Sequence, residues 1–147
     1  AGKSATRSGG SIPWSAARIA GVNVDDYFDM MPHLGKTAGK LDKEAMLTYV
    51  QKSGGKIIAN KGATFYAVTR GVCRLCSILM SASESVTTVS SMMHGEYGIE
   101  DVCLSTLALV GPNGIQGKIP MTLTEEEVGK LKASADALKS VIAQIEL

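Results

Sequence analysis

The chain reads Lys61-Gly62-Ala63-Thr64-Phe65-Tyr66-Ala67-Val68 near its middle, where one helical pattern ends and another begins. Gly62 is typical of a helix end because glycine adopts the left-handed conformation without a Cβ penalty. From about Thr64 to Ser81, apolar residues recur at helical spacing, and arginine is the only charged residue type. A helix with so little charge is normally covered on more than one side, and part of that cover can come from outside this chain.

Thr64 and Val68 lie four residues apart at the predicted start of this second helix, so both side chains face one side of it. A hydroxyl at a helix N-terminus sits where the backbone dipole favours an anion, and a small carboxylate suits such a corner. The pattern alone favours a simpler interpretation, in which Thr64 is an N-cap and Val68 a core residue.

Ahead of the quoted stretch, Asp42 can cap a helix that begins at Lys43. Ser53-Gly54-Gly55 interrupts the apolar pattern of this helix, and each glycine costs about 1 kcal/mol of helix propensity relative to alanine. The sequence therefore predicts a kink there, or two consecutive helices. Earlier still, it predicts an exposed loop over residues 1–13, one or two short strands over 14–24 and a loop over 29–41.

Beyond the second helix, the composition shifts to Val, Thr, Leu and Ser, which is typical of strands. Pro112-Asn113 between two glycines is a turn signal, and it predicts a hairpin. The predicted strands cover residues 85–94, 101–110 and 115–120.

The last helix has the clearest start signal. Thr124 and Glu127 form a capping box, in which each side chain bonds the backbone of the other residue. The apolar residues that follow are spaced three and four apart, so we predict a helix from Glu125 to Glu146 with one narrow apolar stripe. The stripe consists of Val128, Leu131, Ala135, Leu138, Ile142 and Ile145.

Composition limits the function classes. A chain of 147 residues with 45% hydrophobic and 20% charged residues fits one globular domain. A net charge of +1 without strong clustering argues against nucleic-acid binding, and no apolar run is long enough to span a bilayer. No signal peptide opens the sequence, and three cysteines give no disulfide framework, so we expect reduced thiols in a cytoplasmic protein.

Motifs for dinucleotide or phosphate binding do not stand out. No two of the sixteen glycines are separated by a single residue, so G-x-G-x-x-G cannot occur. Gly35-Lys36-Thr37 resembles the end of a P-loop, but Met30 stands where the earlier glycine belongs. Gly2-Lys3-Ser4 begins too early in the chain for its preceding residues to be judged.

Cys73 and Cys76 form a C-x-x-C, which can be a redox pair or half of a zinc site. No second pair or spaced histidine accompanies them, so we expect small buried side chains and no metal site. His33 lies in a predicted loop, and His94 ends a predicted strand. Glu96 would share the strand face of His94 only if the strand continued, and Gly95 argues against that. Both histidines are expected to be surface or hydrogen-bonded structural residues.

Short segments from about Ile12 to Leu147 have the order of those in a known family. They read PWS at 13–15 with IAGV at 19–22, KGATFYAV at 61–68, MHGEYGI at 93–99, DVCLS at 101–105, VGPNGI at 110–115 and LTEEE at 123–127. In this order they resemble the C-terminal half of the lactate and malate dehydrogenase family, and most closely L-lactate dehydrogenase. The family pattern at the second segment is K-G-x-T, followed by an aromatic and then an aliphatic residue.

The resemblance implies a fold and a reaction. Family members reduce pyruvate to L-lactate with NADH, and a separate N-terminal Rossmann domain binds the NAD. The K-G-x-T threonine contacts the substrate and maps onto Thr64; the aliphatic residue four positions on lies near the nicotinamide ring and maps onto Val68. An aliphatic wall there helps to keep water from the transferring carbon. The implied fold is α+β, a small twisted antiparallel sheet packed against long helices, without the Rossmann domain.

The resemblance assigns no catalytic residue to this chain. The family's catalytic histidine lies in H-G-D-S or H-G-N-S shortly before the W-S strand, where a candidate remnant, Ala1-Gly2-Lys3-Ser4, has alanine instead of histidine. The aspartate that orients it and the arginine that grips the substrate carboxylate come earlier still in the family. One threonine hydroxyl does not replace a bidentate arginine clamp. We therefore interpret residues 1–13 as a remnant of the catalytic loop and 14–147 as the substrate-side domain, inactive alone.

Other interpretations stay open. The substrate can be malate or another L-2-hydroxy acid, because specificity in the family depends largely on its N-terminal half. The nearly uncharged helix and the narrow C-terminal stripe also fit a non-catalytic oligomerisation module, which can coexist with the enzyme role because the family forms dimers and tetramers. A thiol-redox or zinc module at Cys73 and Cys76 lacks further ligands. No nucleic-acid or membrane partner is expected.

Overall fold

The structure is a computed structural model that describes residues 12–37 and 39–145. The loop predicted for residues 1–13 and the candidate remnant at residues 1–4 lie, except for residues 12 and 13, outside the described residues. The chain divides into two compact units, Ala1–Ser53 with Thr122–Ser134, and Gly54–Met121 with Ala135–Leu147. In the part described, two antiparallel sheets and four α-helices confirm the predicted α+β fold.

The first unit opens with a short hairpin. After one turn of 3-10 helix at Trp14–Ala16, strand β1 (Arg18–Ile19) pairs antiparallel with strand β2 (Val22–Asn23). Ala20 and Gly21 make the turn with positive φ angles of 51° and 84°. The hairpin confirms the short strands predicted for this stretch.

Helix α1 (Val24–Met30) and a 3-10 turn at Met31–Leu34 follow, so the loop predicted from residue 29 is wrong over its first part. The Asn23 side chain accepts a hydrogen bond from the backbone N–H of Asp25 at 3.0 Å, and acidic residues in the first turn favour the positive end of the helix dipole. Asn23, with Asp25 and Asp26 two and three residues later, was the local signal that the sequence analysis missed. His33 lies, exposed, in the 3-10 turn rather than in a loop.

Helix α2 (Lys43–Lys61) begins as predicted, because Asp42 Oδ1 accepts a hydrogen bond from the Ala45 N–H at 2.9 Å. It runs through Gly54 and Gly55 as one helix, so the alternative of two helices is wrong. A Cβ added at either glycine would meet no atom within 4 Å, so packing does not require glycine there. The propensity cost of about 1 kcal/mol each is not enough to break the helix.

The second unit combines a helix with a three-stranded sheet. Its elements are α3 (Tyr66–Leu79), β3 (Ser85–His94), β4 (Glu100–Gly111) and β5 (Gly114–Lys118). The strands are antiparallel in the order β3-β4-β5, and Gly111 pairs with Gly114 across the predicted turn. Alternate residues of β4 are buried, as expected of a strand with one face on a core. That core contains Ile78, Ala108 and Val110, with Leu75 and Val89 against it.

Helix α4 (Glu125–Ile142) confirms the capping box. The Glu127 N–H donates to Thr124 Oγ1 at 3.2 Å, and the Thr124 N–H donates to Glu127 Oε2 at 3.0 Å. The helix ends before the predicted boundary at residue 146, and within its described part only Ala135 of the apolar stripe is buried. Ile142 is 54% and Ile145 58% exposed, so the end of the stripe is not buried against the described residues.

Glu127 also binds Ser15, far away in sequence, through the Ser15 hydroxyl and backbone N–H. Desolvation raises the pKa of Glu127, but hydrogen bonds from Ser15 and Thr124 outweigh it and lower the pKa from 4.5 to about 2. A carboxyl with a lowered folded-state pKa stabilises the fold above its unfolded-state pKa, and this contribution is lost as pH falls towards the folded-state value.

Replacing Glu127 with glutamine is therefore expected to lower the free energy of unfolding by about 1 kcal/mol at neutral pH, because the bonds from Ser15 and Thr124 lose their charged acceptor and one of its two oxygens becomes an NH₂ group. The difference from wild type should shrink as pH falls from 4.5 towards 2, the interval between the two pKa values. Urea unfolding of both proteins at several pH values measures it. Glu125→Gln, in the same exposed turn, is the matched control, and an equal effect there would point to the helix dipole instead.

Candidate functional site

Thr64 lies exposed in the connection between α2 and α3. Gly62 ends α2 with a φ of 80°, and its N–H donates to the Ile58 carbonyl at 2.7 Å, as predicted for a helix C-terminus. The N-cap of α3 is Phe65, which has no side-chain capping bond. The simpler interpretation of Thr64 as the N-cap is therefore wrong, and its hydroxyl has no hydrogen-bond partner within the described residues.

Val68 lies in the first turn of α3 and is 63% exposed. Its simpler interpretation as a core residue is wrong as well, because α3 packs on the sheet through Ile78 near its other end. Thr64 and Val68 are thus both on the surface at the beginning of one helix. A pair sealed inside the core could not bind a substrate, and neither of these two side chains is buried.

A lysine and two aromatic rings surround this connection. The Lys61 ammonium lies 3.9 Å from the ring centroid of Tyr66 and 4.8 Å from that of Phe65. The two rings lie 4.7 Å apart at an interplanar angle of 54°. We call these three residues the Lys61 cluster. The sequence analysis missed it, although a lysine four and five residues before two aromatic residues was a usable signal.

Most of α3 faces outward. Ile78 is its one buried residue, while Tyr66 is 69% and Val72 55% exposed. The expectation that Cys73 and Cys76 are buried is wrong, since both are exposed and free. No group of three or more His, Cys, Asp or Glu side chains suited to a metal ion occurs among residues 12–37 and 39–145.

A cavity of about 360 Å³ opens beside the sheet of the second unit. Its charged groups bind each other: the Lys118 ammonium lies 2.9 Å from Glu96 Oε1, and it also donates to the Met92 carbonyl. Glu96 Oε2 accepts the backbone N–H of His94 at 2.7 Å, so the two residues interact through the backbone and not the imidazole. The His94 N–H and then the Lys118 ammonium lower the pKa of Glu96 to about 2.

Two hydroxyl groups also line the cavity, those of Tyr97 and Thr106. The Tyr97 hydroxyl accepts from the Met121 N–H at 2.8 Å and donates to the Met121 carbonyl at 3.2 Å. The Thr106 hydroxyl has no partner, but its oxygen is closed off from solvent. The charged groups and the phenol of the cavity are thus bonded to other groups of the chain, whereas the Thr64 side chain is exposed and its hydroxyl has no hydrogen-bond partner within the described residues.

Residues 8–146 match the family model described as lactate/malate dehydrogenase, alpha/beta C-terminal domain. The chain belongs to the lactate/malate dehydrogenase family. The match spans nearly the whole sequence, and the α+β architecture described above is that of the family's C-terminal domain. The resemblance inferred from the short segments is thereby confirmed.

Individual family members match this chain over less than half of their own length. The L-lactate dehydrogenase of Acetivibrio thermocellus is 35% identical over 134 residues, which cover 91% of this chain and 41% of that protein. The solved L-lactate dehydrogenase from Clostridium thermocellum superposes with a TM-score of 0.75 at 31% identity, covering 92% of this chain and 42% of the other. The chain therefore spans about two fifths of the length of the curated relatives it matches.

A malate dehydrogenase has a similar fold. The enzyme from Archaeoglobus fulgidus, solved in complex with NADH, has a TM-score of 0.65 at 30% identity, covering 70% of this chain and 35% of that one. Both substrate branches of the family thus resemble the chain. No helix of the described residues is long and apolar enough to cross a membrane.

Proposed function

We propose that this chain is the substrate-side domain of an NAD-dependent L-lactate dehydrogenase, which reduces pyruvate to L-lactate. One observation carries the proposal: Thr64 is exposed just before α3, at the threonine of the family's K-G-x-T segment, and its hydroxyl has no hydrogen-bond partner in the described part of the chain. A hydroxyl that is committed elsewhere could not bind a substrate, and this one is free within the described residues.

Each site residue has a separate role in the proposal. Thr64 binds the substrate by hydrogen bonding, close to helix amides that favour its carboxylate. Val68 forms an apolar wall beside the nicotinamide, which excludes water from the transferring carbon. A bound NADH would supply a hydride for the carbonyl carbon of pyruvate, and the proton for its oxygen would come from a group outside this chain. The exposed face of Val68 fits one wall of the cofactor site, and the rest is assigned to the N-terminal half of a longer protein.

The test uses the protein expressed with the residues its gene encodes ahead of Ala1. NADH oxidation is measured with pyruvate, oxaloacetate and branched 2-oxo acids. We expect pyruvate to give the highest kcat/KM. A preference for oxaloacetate or a branched acid would replace lactate by malate or another 2-hydroxy acid, and no oxidation with any of them would contradict the enzyme proposal.

The exposed apolar side chains of α3 favour a second role, self-association. Phe65, Tyr66, Val68 and Val72 are each about half or more exposed, and contiguous apolar surface of this kind marks interaction sites. We propose a homo-oligomer, a dimer or tetramer, that coexists with the enzyme role. Light scattering of the same longer protein tests it, and a monomer at high concentration would contradict it.

A further inference from the structure

The connection that carries Thr64 has few restraints of its own. Gly62 is bonded to Ile58, and the Phe65 carbonyl accepts the N–H and hydroxyl of Thr69 at 2.9 and 2.8 Å. Between these anchors, no hydrogen bond within the described residues restrains Thr64. A binding hydroxyl needs a defined position, so some other contact must limit the connection.

The Lys61 cluster supplies that contact. Lys61 is the last residue of α2, and the rings of Phe65 and Tyr66 immediately follow Thr64. The cation–π contacts therefore join the two ends of the connection that contains Thr64. No carboxylate pairs with the Lys61 ammonium within the described residues, so the rings are its available partners. A cation–π contact at an exposed site changes an equilibrium constant by about two- to five-fold.

We propose that Lys61, through its contacts with the rings of Phe65 and Tyr66, is a positioning residue that holds Thr64 in its substrate-binding position. The inference rests on the proposed function of Thr64. Lys61 itself touches no reacting atom. It limits the conformations of the connection, so that less conformational entropy is lost when the substrate binds.

The first test measures the mobility of the connection directly, in the 147-residue chain. Lys61→Met keeps an apolar stem and removes the charge, Lys61→Arg restores a cation, and Lys56→Met removes an exposed lysine of the same helix that has no ring contact in the described part. Amide hydrogen exchange at Gly62 and Thr69, whose hydrogen-bonded N–H groups flank the connection, should speed up about five-fold in Lys61→Met. It should stay at the wild-type rate in the other two variants. Unchanged exchange in Lys61→Met would overturn the proposal.

The second test uses kcat/KM for pyruvate in the longer protein. Lys61→Met should lower it about five-fold, Lys61→Arg should restore it, and Lys61→Met should cause no further loss when Thr64→Ala is already present. An equal loss in both backgrounds would show that Lys61 acts independently of Thr64 and would overturn the inference. If Thr64→Ala alone has no effect, the proposed function fails, while the exchange measurement still decides whether Lys61 holds the connection.

Discussion

The purified 147-residue chain is expected to leave NADH unoxidised in the presence of pyruvate. The proposal assigns Thr64 and Val68 to binding and assigns the proton-transferring group to a part of the enzyme beyond this chain. A positioned acid–base group contributes about 10²- to 10⁴-fold to a rate, and the arginine that grips the carboxylate adds further binding. Without either, turnover should fall below detection.

The measurement is NADH absorbance over time with and without the chain. The L-lactate dehydrogenase of Acetivibrio thermocellus under the same conditions is the positive control. Circular dichroism of the sample confirms that an inactive chain is folded. Pyruvate-dependent NADH oxidation above the protein-free rate would refute the prediction and would require a catalytic group among the residues of this chain.

Replacing Thr64 with alanine in the longer protein is expected to lower kcat/KM for pyruvate by about 10- to 150-fold. A hydrogen bond to a charged group contributes about 1.5–3 kcal/mol, which corresponds to this range. Thr64→Ser keeps the hydroxyl and should retain activity within a few-fold. The protein's stability should change little, because Thr64 is exposed and has no partner in the described structure.

Thr88→Ala is the matched control, because Thr88 is exposed on β3 and its hydroxyl has no hydrogen bond in the described residues. It should leave kcat/KM unchanged. Steady-state kinetics and a thermal unfolding curve for each variant separate a binding defect from a folding defect. If Thr64→Ala stays within two-fold of wild type, Thr64 does not bind the substrate.

Local signals predicted the element starts well. Asp42 and Thr124 cap their helices through partners three residues away, and the Pro112-Asn113 turn needs only its own strands. Such contacts form between neighbours in sequence, so residue identity is sufficient to predict them. The one missed helix, α1, also has a local cap, at Asn23.

Exposure was harder to predict. The apolar pattern of α3 suggested burial of Val68, Cys73 and Cys76, yet all three are exposed. Periodicity shows that a helix has an apolar face but not what covers it. Among the described residues, the core that joins α3 to the sheet contains Ile78, with Leu75 packed against it.

The order of residue types in KGATFYAV and the family of the chain could be predicted from the sequence alone. Both depend on residue identity and spacing. Three-dimensional packing decided the rest. The pairing of β3, β4 and β5 brings Lys118 to Glu96, 22 residues away, where the two side chains form an ion pair in the lining of the cavity. The path of the chain from α2 into α3 brings an ammonium over two rings and leaves the threonine hydroxyl free, because those positions depend on backbone direction, which residue spacing does not specify.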